Sequence, residues 1–554
     1  MSLPAATPTA TARTLSPLLF TGLALAAACG DNATPIAADI NFGVMGALHG
    51  AAGKGSFRFG AASAATQIED LNPNVDWYLW TKPIAEGGLG KSQFIADAVQ
   101  GYTRATADTA LVKELALDSY RFSIEWARIE PQRHQIDEVA IAHYRAQLMQ
   151  LRALGIRPMV TLHHFSNPIW VADPREPDCT AAGTLPSDQN LCGLGHPTGG
   201  AMVVQAMADH AKLMAERFGD LVDEWGTLNE PVNYLLAAYG VGSFPPGRFT
   251  ISQLQSKFLP VVRDFIAAQA AMYKAVKAAD TIDADGDGEP ASVGFTLSVA
   301  DWQAARSNAP STDPEDVGAR DRLIYVFHYL FVDSIRNGTF DSNLDGIVDE
   351  QHPEWTGTMD WLGLQYYFRA GVTGKSQLVP LIDLTPCFGT FDFGACLPPA
   401  DPSFCVPTMG YEAWADGIGD ILEAFNARYP ALPMLVSEGG IATNNGARRA
   451  ANIVRTLEAI ARAQKAGADV RGYYYWSLTD NFEWAEGFAP KFGLYAVDPT
   501  TYARTATEGA TVLRDIAKAR VVSAQQRTMY GGTGPLPAEP GSTVAPGDIC
   551  TNDE

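Results

Sequence analysis

The chain has 554 residues, of which 47% are hydrophobic and 10% aromatic; this composition predicts a folded globular protein and excludes disorder over most of its length. It carries 62 acidic and 40 basic residues, which gives a formal net charge of −22, and its basic residues form no cluster. A nucleic-acid partner is therefore not expected, because phosphate neutralisation requires concentrated Lys and Arg.

The first 29 residues have the pattern of an export signal. Arg13 precedes an apolar run at residues 15–28, which is too short to cross a bilayer comfortably but suits the apolar core of such a signal. The run ends in Leu-Ala-Ala-Ala-Cys, which resembles a bacterial lipoprotein box with Cys29 as the lipidated residue. We therefore predict a protein that is secreted or held in a bacterial cell envelope, with a membrane tether through lipidated Cys29. Signal cleavage without lipidation is the alternative.

Six further cysteines fit an exported protein, because disulfides form in oxidising compartments. They are Cys179, Cys192, Cys387, Cys396, Cys405 and Cys550. Six cysteines allow fifteen pairings. Short spacings favour Cys179 with Cys192 and Cys387 with Cys396, which leaves Cys405 to pair with Cys550. A zinc site is the alternative, and the lack of a CxxC pair or of His-rich partners disfavours it.

Along the chain, short apolar runs alternate with segments of helical periodicity. We predict a linker at residues 30–54, a folded domain at 55–523 and an extended, Gly- and Pro-rich tail at 524–554. Eight candidate strands lie at residues 57–62, 119–123, 157–162, 224–228, 292–297, 361–366, 434–436 and 472–476. Helical periodicity separates them, as at residues 105–117, 141–154 and 447–466.

This alternation predicts an α/β protein with a single (β/α)8 TIM barrel and elaborated loops. No Gly-rich phosphate loop follows the first strand, which disfavours dinucleotide binding.

Two carboxylates follow the fourth and seventh candidate strands. Glu230 stands in Thr-Leu-Asn-Glu-Pro and Glu438 in Val-Ser-Glu-Gly-Gly. Because the carboxyl ends of barrel strands meet at one mouth, both side chains would face the same cavity. Glycoside cleavage needs such a pair, since one carboxylic acid protonates the departing oxygen and one carboxylate attacks the anomeric carbon. We therefore predict Glu230 as the acid/base, with a pKa raised by burial and by the charge of Glu438, and Glu438 as the nucleophile. The alternative is that both are ordinary polar residues at strand ends.

Longer motifs accompany the two carboxylates. They are Phe-Gly-Ala-Ala-Ser-Ala-Ala-Thr-Gln-Ile-Glu, Tyr-Arg-Phe-Ser-Ile-Glu-Trp, Thr-Leu-His-His-Phe, Gly-Leu-Gln-Tyr-Tyr and Tyr-Trp-Ser-Leu-Thr-Asp-Asn-Phe-Glu-Trp. Together with the Asn-Glu-Pro string they resemble glycoside hydrolase family 1, the β-glucosidase-type family, from about residue 57 to residue 504. The resemblance implies a (β/α)8 barrel that hydrolyses β-glycosides with retention of configuration.

The resemblance also implies roles for single residues. It places Arg121 against Glu438, which it would keep ionised, and gives Tyr367 a hydrogen bond to the same carboxylate. The residues that it assigns to substrate binding are Gln67, His164, Asn229, Tyr367, Trp476, Glu483 and Trp484. Phospho-glycosidases of the family have small residues in place of Glu483 and Trp484, so we expect an unphosphorylated sugar.

Four positions depart from the family pattern. Asp70, Phe165, Gln365 and Gly439 stand where the family usually has Gly, Trp, Asn and Asn. These departures leave the preference for glucose or galactose open. The Cys-bearing insertions around 174–198 and 384–408 should lie at the mouth, where they would affect the choice of leaving group.

Two acidic loops fit the start of a calcium loop, in which alternating oxygen ligands precede a Gly at the sixth position. The candidate ligands are Asp283, Asp285 and Asp287 in the first loop and Asp341, Asn343 and Asp345 in the second. The twelfth position is Gly294 or His352 instead of Glu, so neither is a full EF-hand loop. The loops predict structural calcium on the face opposite the mouth; solvated acidic turns are the alternative.

The sequence therefore predicts a retaining β-glycosidase that removes terminal unphosphorylated sugars from a small-molecule or oligosaccharide β-glycoside. No cofactor is expected for catalysis, because acid/base and covalent steps suffice. Alternatives within the family are a β-mannosidase, a β-galactosidase and a transglycosylase. Outside it, Gln365 and Gly439 keep open a catalytically silent surface sugar-binding protein, and a barrel hydrolase of non-sugar substrates is a more distant alternative.

Overall fold

The centre of the fold is a closed barrel of eight parallel strands, seen in a computed structural model that describes residues 38–179, 185–375, 382–387 and 393–551. The strands, β1 to β8 in chain order, are Arg58–Ser63, Ser119–Ser123, Arg157–His163, Glu224–Asn229, Ser292–Arg306, Trp361–Thr373, Met434–Glu438 and Val470–Trp476. Each strand pairs with the next, and β8 pairs with β1, so the sheet closes on itself. The predicted (β/α)8 barrel is confirmed.

Helices surround the barrel and cover the outer face of its strands. The longer ones, α1 to α10, are Ala105–Glu114, Glu138–Ala153, Gly199–Phe218, Leu259–Ala279, Pro314–Ile324, Leu330–Asn337, Gly417–Arg428, Gly446–Lys465, Glu508–Ala519 and Ala524–Tyr530. Short helices cover Ala65–Ile68, Asp76–Thr81, Trp126–Ile129 and Pro231–Leu235. The burial of α8 shows why these segments are helical: Ile453, Leu457 and Ile460 recur every three or four residues and are fully buried.

Short strands lie outside the eight barrel strands. They are Ile40–Asn41, Ala309–Pro310, Thr339–Phe340, Glu350–Gln351, Thr385–Pro386, Cys405–Val406, Tyr411–Glu412, Tyr495–Val497, Arg504–Ala506 and Val521–Val522. Among the described residues, no helix has the length and apolarity needed to cross a membrane.

Strands β5 and β6 run well past the ends predicted for them, residues 297 and 366. Their extensions stay paired in parallel, from Asp301 opposite Arg369 to Ala304 opposite Val372. Because this pairing continues beyond the carboxyl ends of the other strands, the two extensions form a wall beside the barrel mouth.

Residues 38–54, the described part of the predicted linker, instead pack against the closed end of the barrel. Ile40–Asn41 forms an antiparallel pair with Val521–Val522, and Phe42 and Leu48 are buried. The Arg471 guanidinium, near the start of β8, donates to the carbonyls of residues 47–50. The linker assignment is therefore corrected for residues 38–54. The Ala- and Gly-rich composition of these residues suggested a linker, but a few apolar side chains among them dock the segment on the barrel.

The predicted extended tail also needs correction, because it begins with a helix. Ser523 and Gln526 form a capping box at the start of α10. Residues 531–551 have no regular structure but pack on the barrel domain, where Leu536 is buried.

Three disulfides join the cysteines in the pairs that the spacing favoured, Cys179–Cys192, Cys387–Cys396 and Cys405–Cys550. The predicted export signal, residues 1–29, and Cys29 within it lie outside the described residues.

Candidate active site

Glu230 is presented to the barrel mouth by a sharp turn at the end of β4. Its backbone has a positive φ of 42°, and Pro231 follows as the first residue of the short helix Pro231–Leu235. The Glu230 N–H donates to the Thr296 carbonyl on β5, at 2.8 Å. The turn leaves the carboxyl group buried, with its Oε2 accepting a hydrogen bond of 2.8 Å from Asn233 Nδ2.

Glu438 is the last residue of β7 and is also buried. Two glycines follow it, and they differ in how much room they have. A Cβ at Gly440 would lie 2.2 Å from the Trp476 carbonyl oxygen, so only Gly fits there. A Cβ at Gly439 would have no atom nearer than 3.5 Å, so the absence of the family's Asn at this position is not imposed by packing.

Both oxygens of Glu438 are engaged by donors. Arg121 Nη1 contacts Oε1, and the Tyr367 hydroxyl donates to Oε2 at 2.7 Å. The same guanidinium donates through Nη2 to Asn229 Oδ1 at 2.6 Å. Arg121 therefore holds the carboxylate at the end of β7 and the amide at the end of β4 in one fixed arrangement.

The surroundings of the two carboxyls separate their protonation behaviour. Burial, and then the negative charge of Glu438, raises the pKa of Glu230 to about 8. Burial also raises the pKa of Glu438, but Arg121 and the Tyr367 hydroxyl oppose that rise. At neutral pH this arrangement favours a protonated Glu230 beside an ionised Glu438, which is the pairing that acid-assisted nucleophilic attack requires.

Asn229 is oriented by donors that all bind its oxygen. Besides Arg121, Gln365 Nε2 donates to Oδ1 at 2.8 Å and Thr296 Oγ1 at 3.0 Å. The amide NH2 is therefore the group left for a ligand. Gln365, a departure from the family pattern, thus holds Asn229 in place and belongs to the site.

Two predicted sugar ligands carry buried polar atoms that have no partner among the described residues, Gln67 Oε1 and His164 Nδ1. Gln67 Nε2 is already bonded, to the Phe482 carbonyl at 2.8 Å and to Glu483 Oε2 at 3.1 Å. Burial and the charge of Arg121 lower the pKa of His164 well below its usual value, so its ring is neutral. Buried polar atoms without partners are costly, and ligand hydroxyls would satisfy both of these.

Aromatic rings pack around His164. The His164 ring stacks with Trp476 at 5.8 Å and with Trp484 at 6.0 Å. Trp484 also packs against Phe165 at 5.3 Å. Flat apolar faces beside unmatched polar atoms suit a sugar ring, which has C–H faces and a rim of hydroxyls.

The structure therefore brings together every predicted catalytic and substrate-binding residue at the carboxyl ends of the strands. Motif reasoning missed Asn233 and Thr296, which hold Glu230 and Asn229. Asn233 lies three residues after Glu230, a helical spacing that could have indicated the contact. Asp70, a departure from the family pattern, is bonded to Thr103, whose N–H donates to its carboxylate at 3.0 Å.

A carboxylate from outside the first acidic loop, that of Asp223, lies beside two of the loop's candidate ligands. Ligand atoms of Asp223, Asp283 and Asp285 lie within 4.8 Å of one another. Asp223 Oδ2 is buried without a partner among the described residues, whereas Asp285 Oδ2 is 2.9 Å from Arg157 Nη1. Asp287 is not part of this group.

The candidate ligands of the second acidic loop are bonded within the loop and to Tyr325, whose hydroxyl donates to Asp341 Oδ2 at 2.9 Å. Asp341 accepts from the N–H groups of Asp345 and Gly346, and Asn343 Oδ1 also accepts from Asp345. These bonds stabilise the turn itself and indicate no ligand.

Comparison with known proteins identifies relatives along most of the chain. The model of glycosyl hydrolase family 1 matches residues 53–176 and 188–521. A β-galactosidase of Pyrococcus woesei is 30% identical over 508 residues, which cover 83% of this chain and 96% of the relative. β-Glucosidase 17 of Arabidopsis thaliana is 28% identical over 488 residues, covering 80% and 86%. Among solved structures, a β-glycosidase from Pyrococcus horikoshii superimposes with a TM-score of 0.69 at 26% identity, covering 88% of this chain and 98% of that one.

Proposed function

This chain belongs to glycosyl hydrolase family 1 and is a retaining β-glycosidase, and we propose that it releases terminal, unphosphorylated glucose- or galactose-type sugars from β-glycosides. The observation that carries the mechanism is the placement of two buried carboxyls at one mouth, with Glu438 bonded to Arg121 and the Tyr367 hydroxyl and Glu230 bonded to Asn233.

In the first step, the Glu438 carboxylate attacks the anomeric carbon while Glu230 gives its proton to the departing oxygen. The bond from the anomeric carbon to that oxygen breaks, and an ester to Glu438 forms. Arg121 and Tyr367 keep the Glu438 carboxylate in place for this attack.

In the second step, Glu230 acts as a base. Glu230 is a carboxylate at this stage because it gave its proton to the leaving group, and the ester has removed the negative charge of Glu438, which was one cause of the raised Glu230 pKa. Glu230 takes a proton from water, the water oxygen attacks the anomeric carbon, and Glu438 leaves as a carboxylate. Two inversions give net retention.

The polar groups around Glu483 support an unphosphorylated sugar. Gln67 Oε1 and His164 offer unmatched hydrogen-bonding atoms, and Glu483 stands beside Gln67. Burial, and the nearby charges of Glu486 and Glu438, raise the pKa of Glu483 well above its usual value. A site that disfavours a further negative charge so strongly disfavours a phosphorylated sugar.

The test is the configuration of the first product. Proton NMR during hydrolysis of aryl β-glucoside and β-galactoside should show the β-anomer before mutarotation, and Glu438→Gln should abolish turnover while the fold, followed by circular dichroism, is kept. Release of the α-anomer would overturn retention. Sugar binding by wild-type protein without turnover of any aryl β-glycoside would favour the silent binding protein.

We also propose that the enzyme works outside the cytoplasm, in the envelope or medium of a bacterial cell. The three disulfides and the signal-like pattern of residues 1–29 support this proposal. Mass spectrometry of the mature N-terminus in a bacterial host should find cleavage before Cys29 and a diacylglyceryl adduct on it. An intact Met1 terminus would contradict export, and an unmodified Cys29 would contradict the tether.

For the first acidic loop, we propose a structural Ca2+ held by Asp223, Asp283 and Asp285. The buried, unpartnered Oδ2 of Asp223 supports the proposal, since such an oxygen suits a hard cation. Calcium should raise the melting temperature of wild-type protein relative to EGTA, and Asp223→Asn should remove the increase. An unchanged melting temperature in millimolar calcium would contradict the site.

A further inference from the structure

The C-terminal strap, defined as residues 531–551, lies beyond residue 521, where the match to the family ends. It continues from α10 along the outer side of α8, and its contacts move step by step toward the start of that helix. Gly532 N–H donates to Glu458 in the second half of α8, and Arg455, three residues nearer the start of the helix, donates to the carbonyls of Gly534 and Pro535. α8 begins at the barrel mouth and ends at the opposite end of the barrel. Because the contacts of the strap move toward the start of α8, the strap runs toward the active site.

The strap is fixed at both of its ends. Leu536 is buried, and its N–H donates to Ser403 Oγ at 2.9 Å. Near the other end, Cys550 is bonded to Cys405. The residues between these two anchors are therefore held against the domain, and Glu539 is among them.

Glu539 contacts the nucleophile loop, defined as residues 439–445, which joins Glu438 to α8. Its Oε1 accepts from the Asn444 N–H at 3.0 Å, and its Oε2 accepts from the Thr443 hydroxyl. Next to it, the Ala538 carbonyl accepts from Asn445 Nδ2 at 2.8 Å. The side chain of Glu539 is only 10% exposed, so these bonds are sheltered from water.

The charge of Glu539 lies near a buried cation, Arg448 in the first turn of α8. Arg448 Nε lies 3.7 Å from Glu539 Oε2, and its other nitrogens donate to the carbonyls of Ser403, Cys405 and Pro537. The strap and the start of α8 therefore form one bonded unit.

The nucleophile loop also joins the segment that carries Glu483 and Trp484. The Thr443 N–H donates to the Lys491 carbonyl at 2.9 Å. Arg449 donates to the carbonyls of Thr443 and Lys491. Glu539 thus bonds to Thr443, the residue through which the nucleophile loop contacts the segment that carries Glu483 and Trp484.

We propose that Glu539 is a positioning residue for the nucleophile, acting through the nucleophile loop. The strap holds residues 443 and 444 in place, and the short path back through Gly439 and Gly440 transmits this restraint to Glu438, which must stay against Arg121 and Tyr367. The inference rests on the proposed function.

The test compares Glu539→Gln and Glu539→Ala with Asp548→Asn. Asp548 is the matched control, because it is a carboxylate of the same strap that accepts from Ala545 N–H within the strap. For aryl β-glucoside hydrolysis, we expect Glu539→Ala to lower kcat about tenfold with KM little changed, because displacement of a reacting group reduces the rate steeply. The acid limb of its pH profile should move to higher pH, because Glu438 loses part of its contact with donors. Glu539→Gln should lie between wild type and Glu539→Ala, and Asp548→Asn should match wild type.

A second measurement separates positioning from folding. The rate of covalent inactivation by an activated 2-fluoroglycoside reports the attack by Glu438, and it should fall in parallel with kcat while circular dichroism at assay temperature stays native. Lower melting temperatures with unchanged kcat, inactivation rate and acid limb would overturn the proposal and leave the strap a purely structural element. An inert wild-type enzyme would instead refute the proposed function.

Discussion

Tyr367→Phe tests the arrangement around the nucleophile most directly, because it removes one hydroxyl and keeps the ring. That hydroxyl donates to Glu438 Oε2 at 2.7 Å, in a site where Glu438 is buried and Tyr367 is half-buried. A hydrogen bond to a charged group contributes about 1.5–3 kcal/mol, which corresponds to a fall in kcat/KM of about 10- to 150-fold if the bond is needed in the transition state. The lost donor had opposed the raised pKa of Glu438, so that pKa rises further and activity is lost at a higher pH as the solution is acidified.

The assay is the initial rate of aryl β-glucoside hydrolysis as a function of pH. Tyr366→Phe is the control, since Tyr366 lies on the same strand and its hydroxyl donates to the Trp414 carbonyl at 2.5 Å, not to a carboxylate. We expect the control to keep the wild-type acid limb. If Tyr367→Phe stays within about twofold of wild type at every pH, the hydroxyl does not support the nucleophile and the reasoning fails.

Three further outcomes are expected. Wild-type kcat/KM should fall as the pH rises through about 8, because Glu230 then loses the proton that it must donate. A Glu230→Gln enzyme acting on a substrate with a good leaving group should lack this alkaline limb of the pH profile. If the variant keeps the limb, the titrating group is another residue. Gln365→Ala removes a donor to Asn229 Oδ1 and should lower kcat/KM for glucosides about 2- to 12-fold, the equivalent of one neutral hydrogen bond. The family resemblance implies that Asn229 binds the 2-hydroxyl of the sugar, so a 2-deoxyglucoside should be hardly affected, and equal losses on both substrates would contradict that role. Replacing Cys405 and Cys550 by Ser opens a link between residues 145 apart in sequence and should lower the free energy of unfolding by about 3–5 kcal/mol, measured by urea denaturation; no change in the midpoint would show that the bond does not restrain the unfolded chain.

The barrel could be predicted from sequence because its signals are local and repeat. The strand at residues 119–123 was predicted with its observed bounds, since a parallel barrel strand is buried on both faces and reads as a short apolar run. The two carboxylates were found because each ends such a strand within a long motif. The extensions of β5 and β6 could not be found in this way, because they owe their pairing to each other and not to the barrel.

Contacts between distant residues explain what the sequence did not reveal. Thr296 and Gln365 lie 69 residues apart and meet at Asn229, and neither stands in a pattern that distinguishes it from any polar residue at a strand end. Similarly, Phe42 and Leu536 lie in stretches whose Gly, Ala and Pro content suggested loose chain. A few buried side chains help to dock such stretches, but the residues that they contact are set by the tertiary fold.

The antiparallel pair of Ile40–Asn41 with Val521–Val522 has a practical consequence for using the enzyme. It fixes the point where upstream sequence joins the barrel at the end remote from the mouth. Coupling the protein to a bead or an electrode by an N-terminal tag would therefore leave the entrance turned toward the bulk solution, and immobilised and free enzyme should hydrolyse bulky glycosides at similar rates. Coupling by a C-terminal tag would instead load the strap beside the nucleophile loop.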